Sequence, residues 1–157
     1  MVALERDGTV FMGGRRVLVI DDDRTIAELL SIALSGEGYE TRVADGGRDG
    51  LVVLRQWKPD LILLDLLMRD MDGWAFQAEA RRQGLDGVPV LVVTAASVPG
   101  LQMDGLAAPI LPKPFELDEL LAEVDRLTSG PALEVRSQQT KGALSAGQWP
   151  VPVATAI

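Results

Sequence analysis

The sequence predicts an α/β domain: a parallel sheet wound on both sides by helices. Three observations carry this. Short, β-branched or leucine-rich apolar runs alternate with segments patterned at helical spacing. The runs at 17–20 and 61–64 pass straight from apolar residues into carboxylates, as strands buried on both faces do when they end at a ligand-bearing edge. The stretches between successive runs are long enough for right-handed helical crossovers, which parallel neighbours require.

Residues 1–14 hold no usable periodicity and end in Gly13-Gly14, so they read as a flexible leader, with either Met1 or Met12 as its start. Val17-Leu18-Val19-Ile20 form the first strand and run into Asp21-Asp22-Asp23. Ile26, Leu29, Leu30 and Ala33 recur at helical spacing, with Asp22 or Asp23 as cap and Gly36 and Gly38 as terminators. Tyr39, Thr41 and Val43 alternate with Glu40 and Arg42, the period of a half-exposed strand. After Gly46-Gly47 a second helix carries Leu51, Leu54 and Trp57 and is stopped by Lys58-Pro59. Leu61-Ile62-Leu63-Leu64, running without a break into Asp65, make the third strand.

A third helix follows Gly73, with Trp74, Gln77, Ala78 and Arg81, and closes near Gly84. Val88 to Val93 make the fourth strand, with Pro89 near its start, where a missing N–H is tolerable, and Thr94-Ala95 at its end. Residues 96–108 are broken by Pro99, Gly100 and Gly105 and predict a shortened or irregular fourth helix. Pro109-Ile110-Leu111-Pro112 is a short edge strand delivering Lys113. Leu117, Leu120, Leu121, Val124 and Leu127 give the final helix a single stripe. From Ser129 the pattern dissolves into a tail predicted to be disordered, 129–157, with no output domain and one docking-peptide candidate around Trp149-Pro150-Val151-Pro152.

Composition narrows the chemistry. At 157 residues, 47% hydrophobic and 24% charged, the chain fits one globular domain. With no cysteine and no histidine, disulfides, thiolate or imidazole zinc sites, Ser-His-Asp and Cys-His catalysis are all excluded. A formal charge of -8 argues against direct nucleic-acid binding. No apolar run approaches the roughly 20 residues of a membrane span, and the first 14 residues lack a secretory core. The expectation is a cytoplasmic, soluble protein with no membrane partner.

On one edge of a parallel sheet these strands bring together Asp21, Asp22, Asp65, Thr94 and Lys113. Seven of the 23 acidic residues fall at positions 21–23 and 60–72. Carboxylates that close repel unless compensated, and a hard divalent cation such as Mg²⁺ suits an all-oxygen donor set. A lysine and a threonine hydroxyl beside them suit a phosphoryl group. The assembly can place a phosphoryl group on a carboxylate.

Val17-Leu18-Val19-Ile20-Asp21-Asp22, Asp65 with Met68 through Gly73, Val92-Val93-Thr94-Ala95 and Lys113-Pro114-Phe115 resemble, in order and spacing, the receiver domain of two-component response regulators over about residues 15–128. The resemblance implies a flavodoxin-like, five-stranded sheet of order 2-1-3-4-5 and a stand-alone, CheY-like receiver. It implies that Asp65 is the phosphoacceptor, and that Asp21, Asp22, Asp65 and the Leu67 backbone carbonyl hold Mg²⁺. Thr94 and the Ala95 amide would take phosphoryl oxygens and Lys113 would pair with the phosphoryl group. It also implies a cis Lys113–Pro114 bond, a donor that is a histidine kinase or histidine phosphotransfer protein, output through protein–protein contact, and a possible homodimer. Such a receiver promotes its own phosphorylation and dephosphorylation, yet is a switch more than an enzyme.

The chain departs from the family pattern at three places. Arg69 stands where proline is usual; a long cation there can reach the acidic pocket or point into solvent, and solvent is the expectation. Ile110 holds a switch position that is usually aromatic. The segment between Thr94 and Lys113 is short. Apolar Leu67 and Ala96 are expected to shield an acyl phosphate from water. Two rivals remain: a phosphorylation-independent pseudo-receiver, and an aspartyl-nucleophile phosphatase of the haloacid dehalogenase type. The second needs another Asp two residues after the nucleophile, where this chain has Leu67.

Overall fold

The computed structural model describes the backbone of residues 3–4, 10–11, 14–95 and 108–141, and side chains over 14–95 and 108–129. A two-residue antiparallel pair, Ala3–Leu4 with Val10–Phe11, precedes the domain. The main sheet has strands β1 (Arg16–Ile20), β2 (Glu40–Ala44), β3 (Leu61–Leu64), β4 (Val90–Thr94) and β5 (Ile110–Pro112). All four pairings are parallel and the order is β2-β1-β3-β4-β5, the doubly wound arrangement expected. The helices are α1 (Arg24–Gly36), α2 (Gly47–Gln56), α3 (Gly73–Arg82) and α4 (Leu117–Lys141). The expected irregular helix at 96–108 falls almost wholly outside the described residues.

The two-residue period of the strands divides the core into two layers. Val17, Val19, Leu61, Leu63, Leu91 and Val93 face α1 and α4, meeting Ala27, Leu30, Leu34, Leu120 and Val124. Leu18, Ile20, Ile62 and Leu64 face α2 and α3, meeting Leu51, Leu54, Phe76 and Ala80. Because both faces are covered, β3 is buried at every position, which is why its sequence runs apolar without alternation.

Three helix faces differ from the sequence expectation. In α1 the buried residues are Ala27, Leu30 and Leu34, while Leu29 is 62% exposed; Leu29 lies about 100° round the helix from Leu30, and the i, i+3, i+7 set containing Leu30 is the one turned to the sheet. In α3 the buried residues are Gly73, Phe76 and Ala80 rather than a face through Gln77 and Arg81. In α4, Leu120 and Val124 are fully buried but Leu117 is largely exposed in the first turn. The backbone of α4 also stays helical past Thr128 to Lys141. Ala132, Leu133, Glu134 and Arg136, just beyond Pro131, are strong helix formers and favour that continuation locally. The region around Trp149 lies outside the described residues.

Strand register delivers the site. Ile20 pairs with Ala44 on one side and Leu64 on the other, so Asp21 and Asp65 leave adjacent strands at the same level. The Asp65 N–H donates to the Ile20 carbonyl at 3.0 Å, and the Asp21 N–H to the Ala44 carbonyl at 3.3 Å. At the other side, the Lys113 N–H donates to the Thr94 carbonyl at 2.8 Å, tying the residue after β5 to the end of β4.

Candidate functional site

At the carboxyl edge of the sheet three polar residues are buried among those described: Asp21, Asp65 and Thr94. Burying polar groups is costly unless they are paired, so their partners define the site. Lys113 Nζ lies 2.8 Å from Asp21 Oδ2 and 3.9 Å from Asp65 Oδ2, with only 15% of its side chain exposed. The Lys113–Pro114 bond is cis. Asp65 also accepts from the Leu67 N–H at 3.3 Å and from the Thr94 hydroxyl.

Asp21 Oδ1 accepts from the Asp23 N–H at 2.9 Å. Asp23 itself is the cap of α1, its Oδ1 accepting from the Ile26 N–H at 3.2 Å. Capping by Asp23 leaves Asp22 for the site. Oxygens of Asp21, Asp22 and Asp65 all come within 4.8 Å of one another. Desolvation raises the Asp65 carboxyl above its ordinary value; Lys113 pulls it down, Asp21 pushes it up, and the Leu67 amide and Thr94 hydroxyl only partly offset the rise. Three converging carboxylates are a donor set a hard divalent cation fits.

The loop after β3 supports Asp65 from behind. Gly73 opens α3 so close to it that a Cβ there would stand 2.8 Å from the Asp65 carbonyl oxygen. Asp72 caps α3 through the Ala75 N–H at 2.7 Å. Asp70 does something no sequence pattern indicated: Oδ1 accepts from the Gly47 N–H at 3.3 Å and Oδ2 from the Arg48 N–H at 3.2 Å, capping α2 from another loop. Gly46, at φ +146°, has no side chain to cap with, and a Cβ on it would stand 2.5 Å from Asp70 Oδ1.

The remaining expected residues fall as follows. Ala95 is exposed at the end of β4, beside Thr94. Leu67 is 55% exposed, and Ala96 lies outside the described residues. Ile110 is 44% exposed at the start of the edge strand β5. Trp74 packs against Leu66 and Val92. The solvent-directed Arg69 is a correction: its main-chain N–H and Nε both donate to Asp22 Oδ2 at 3.1 Å. The side chain is exposed, but a carboxylate cluster within reach captures its charged end.

Comparison with known proteins agrees with this geometry. Residues 17–125 match the family model described as the response regulator receiver domain. The chain is 40% identical over 115 residues to response regulator MprA of Mycolicibacterium vanbaalenii, covering 71% of this chain and 49% of that protein. It is 39% identical over 115 residues to the DNA-binding response regulator MtrA of Mycobacterium leprae, covering 70% and 49%. The chain thus spans about half the length of these relatives. Among solved structures, chemotaxis protein CheY4 of Vibrio cholerae superposes with a TM-score of 0.67 at 30% identity, over 73% of this chain and 98% of that one. Response regulator TrrA of Thermotoga maritima, in complex with Mg²⁺ and BeF, gives a TM-score of 0.64 at 33% identity, over 72% and 98%. The chain belongs to the response regulator receiver domains of two-component systems.

Proposed function

We infer that this protein accepts a phosphoryl group on Asp65 from the phosphohistidine of a histidine kinase or phosphotransfer protein, in a Mg²⁺-dependent reaction. The observation that carries this is the convergence of Asp21, Asp22 and Asp65 within 4.8 Å, with Lys113 3.9 Å from Asp65 Oδ2. Receiver domains are phosphoacceptor signalling modules rather than classical enzymes, and they bind Mg²⁺ at their acidic site. Here Asp21, Asp22, Asp65 and the Leu67 carbonyl would hold the ion, which when bound neutralises charge on the transferring oxygens.

In the transfer, an Asp65 carboxylate oxygen forms a bond to phosphorus as the phosphorus–nitrogen bond to the donor imidazole breaks. The electron pair stays on that nitrogen, which then takes up a proton. Lys113 offers an ammonium to the phosphoryl oxygens, while the Thr94 hydroxyl and Ala95 amide offer neutral donors. Lys113 already lies between Asp21 and Asp65, so its charge is in place before the phosphoryl group arrives. The phosphorylated edge would then be read by a partner protein through the face that includes Ile110. This reading concerns residues 15–128 and holds equally for a receiver acting alone and for one joined to an output domain.

Incubation of the protein with Mg²⁺ and acetyl phosphate tests the reading. A single-phosphoryl mass increase is expected, absent in Asp65→Ala and absent when the metal is chelated. No increase in the native protein favours a phosphorylation-independent binding module, and steady hydrolysis of phosphoesters favours a phosphatase.

A further inference from the structure

Among the described residues, two protein cations serve the three carboxylates, and they are of different kinds. Lys113 is enclosed and touches Asp21 and Asp65. Arg69 serves Asp22 from the solvent side: its side chain is 90% exposed, against 19% for Asp22. Two of its donors, the main-chain N–H and Nε, go to the same oxygen, Asp22 Oδ2. The main-chain bond does not depend on the side chain, so what the guanidinium adds is its Nε bond and its charge.

We propose that Arg69 is a built-in counter-cation of Asp22 that competes electrostatically with the divalent metal and thereby sets the Mg²⁺ affinity of the site. The inference rests on the reading of Asp21, Asp22 and Asp65 as the metal site. A positive charge held on one ligand partly neutralises it and repels an incoming dication. Removing the side chain at Arg69 deletes that charge and leaves the N–H to Asp22 in place. The guanidinium is exposed and therefore screened, so the effect is modest, about twofold to fivefold in affinity, and it shrinks as salt rises.

Calorimetric titration of the full chain with Mg²⁺, at low and at high ionic strength, tests this in the native protein, Arg69→Ala and Arg69→Gln. Both variants should bind Mg²⁺ more tightly than the native protein at low salt, by about twofold to fivefold, with the advantage falling at high salt. Unchanged affinity, or an advantage insensitive to salt, overturns the proposal. Weaker binding also overturns it and makes Arg69 a positioning residue for Asp22. If neither the native protein nor the variants bind Mg²⁺, the metal-site reading itself fails, an outcome distinct from the others.

Discussion

At the scale of single residues, the site is a problem of charge held near the limit of what burial permits. Asp21 and Asp65 are buried, and Lys113 is the cation the structure sets between them. Removing one partner of such a set leaves uncompensated charge, which costs more than the pair itself contributes. Lys113→Met is therefore expected to destabilise the metal-free protein by about 3 kcal/mol, read by urea unfolding in the presence of a chelator. Part of that loss should return when Mg²⁺ is added; a variant as stable as the native protein without metal would show that Lys113 is not the compensating charge. The residues of this cluster were legible in the sequence because each stands directly after an apolar strand: Asp21 after Ile20, Asp65 after Leu64, Lys113 after Pro112. The Arg69–Asp22 contact was legible only as the less favoured of two readings, because 47 positions separate the residues and an arginine in a loop is ordinarily solvated.

At the scale of elements, loops rather than strands make the connections that sequence patterns miss. Asp70 joins the loop after Asp65 to the first turn of α2. Burial pushes the Asp70 carboxyl up, but the main-chain amides of Arg48, Met71, Gly47 and Asp70 itself outweigh this and hold it below its ordinary value. A depressed carboxyl contributes stability that is present above its unfolded pKa and is lost as pH falls through its folded one. Asp70→Ala should cost about 1 kcal/mol at neutral pH, and the gap to the native protein should close below about pH 4. A gap that persists undiminished in acid would mean that the side chain acts other than as a charged cap. Helix existence was readable from spacing, but the faces of α1 and α3 were not. In α1 the neighbours Leu29 and Leu30 both fit an apolar period, and only packing on Val17 and Val19 selects Leu30. In α3 two of the three buried residues, Gly73 and Ala80, are small and carry little hydrophobic signal of their own.

At the scale of the whole molecule, the strand order places every chemical group on one edge. Periodicity predicted parallel strands but is silent on which strands are neighbours; that order came from the family resemblance, and the pairing of β1 between β2 and β3 agrees with it. The start and the end of the receiver unit also meet: Arg15 donates to the Thr128 hydroxyl at 3.0 Å, fastening the residue before β1 to α4. Around this frame Trp57 is buried with its Nε1 donating to Glu40, while Arg42 and Arg16 lie 4.9 and 5.7 Å from its ring, locking the edge strand β2 to β1. A rigid sheet holding a reactive edge is what a phosphorylation switch requires. The claim at the centre of this account is that one carboxylate on that edge, Asp65, receives the phosphoryl group. Mapping the modified residue tests it most directly: the protein is treated with Mg²⁺ and acetyl phosphate, reduced with borohydride to convert an aspartyl phosphate to homoserine, then digested and sequenced by mass spectrometry. The account predicts homoserine at position 65 and nowhere else; homoserine at another aspartate, or at none in a folded, Mg²⁺-bound protein, would contradict it.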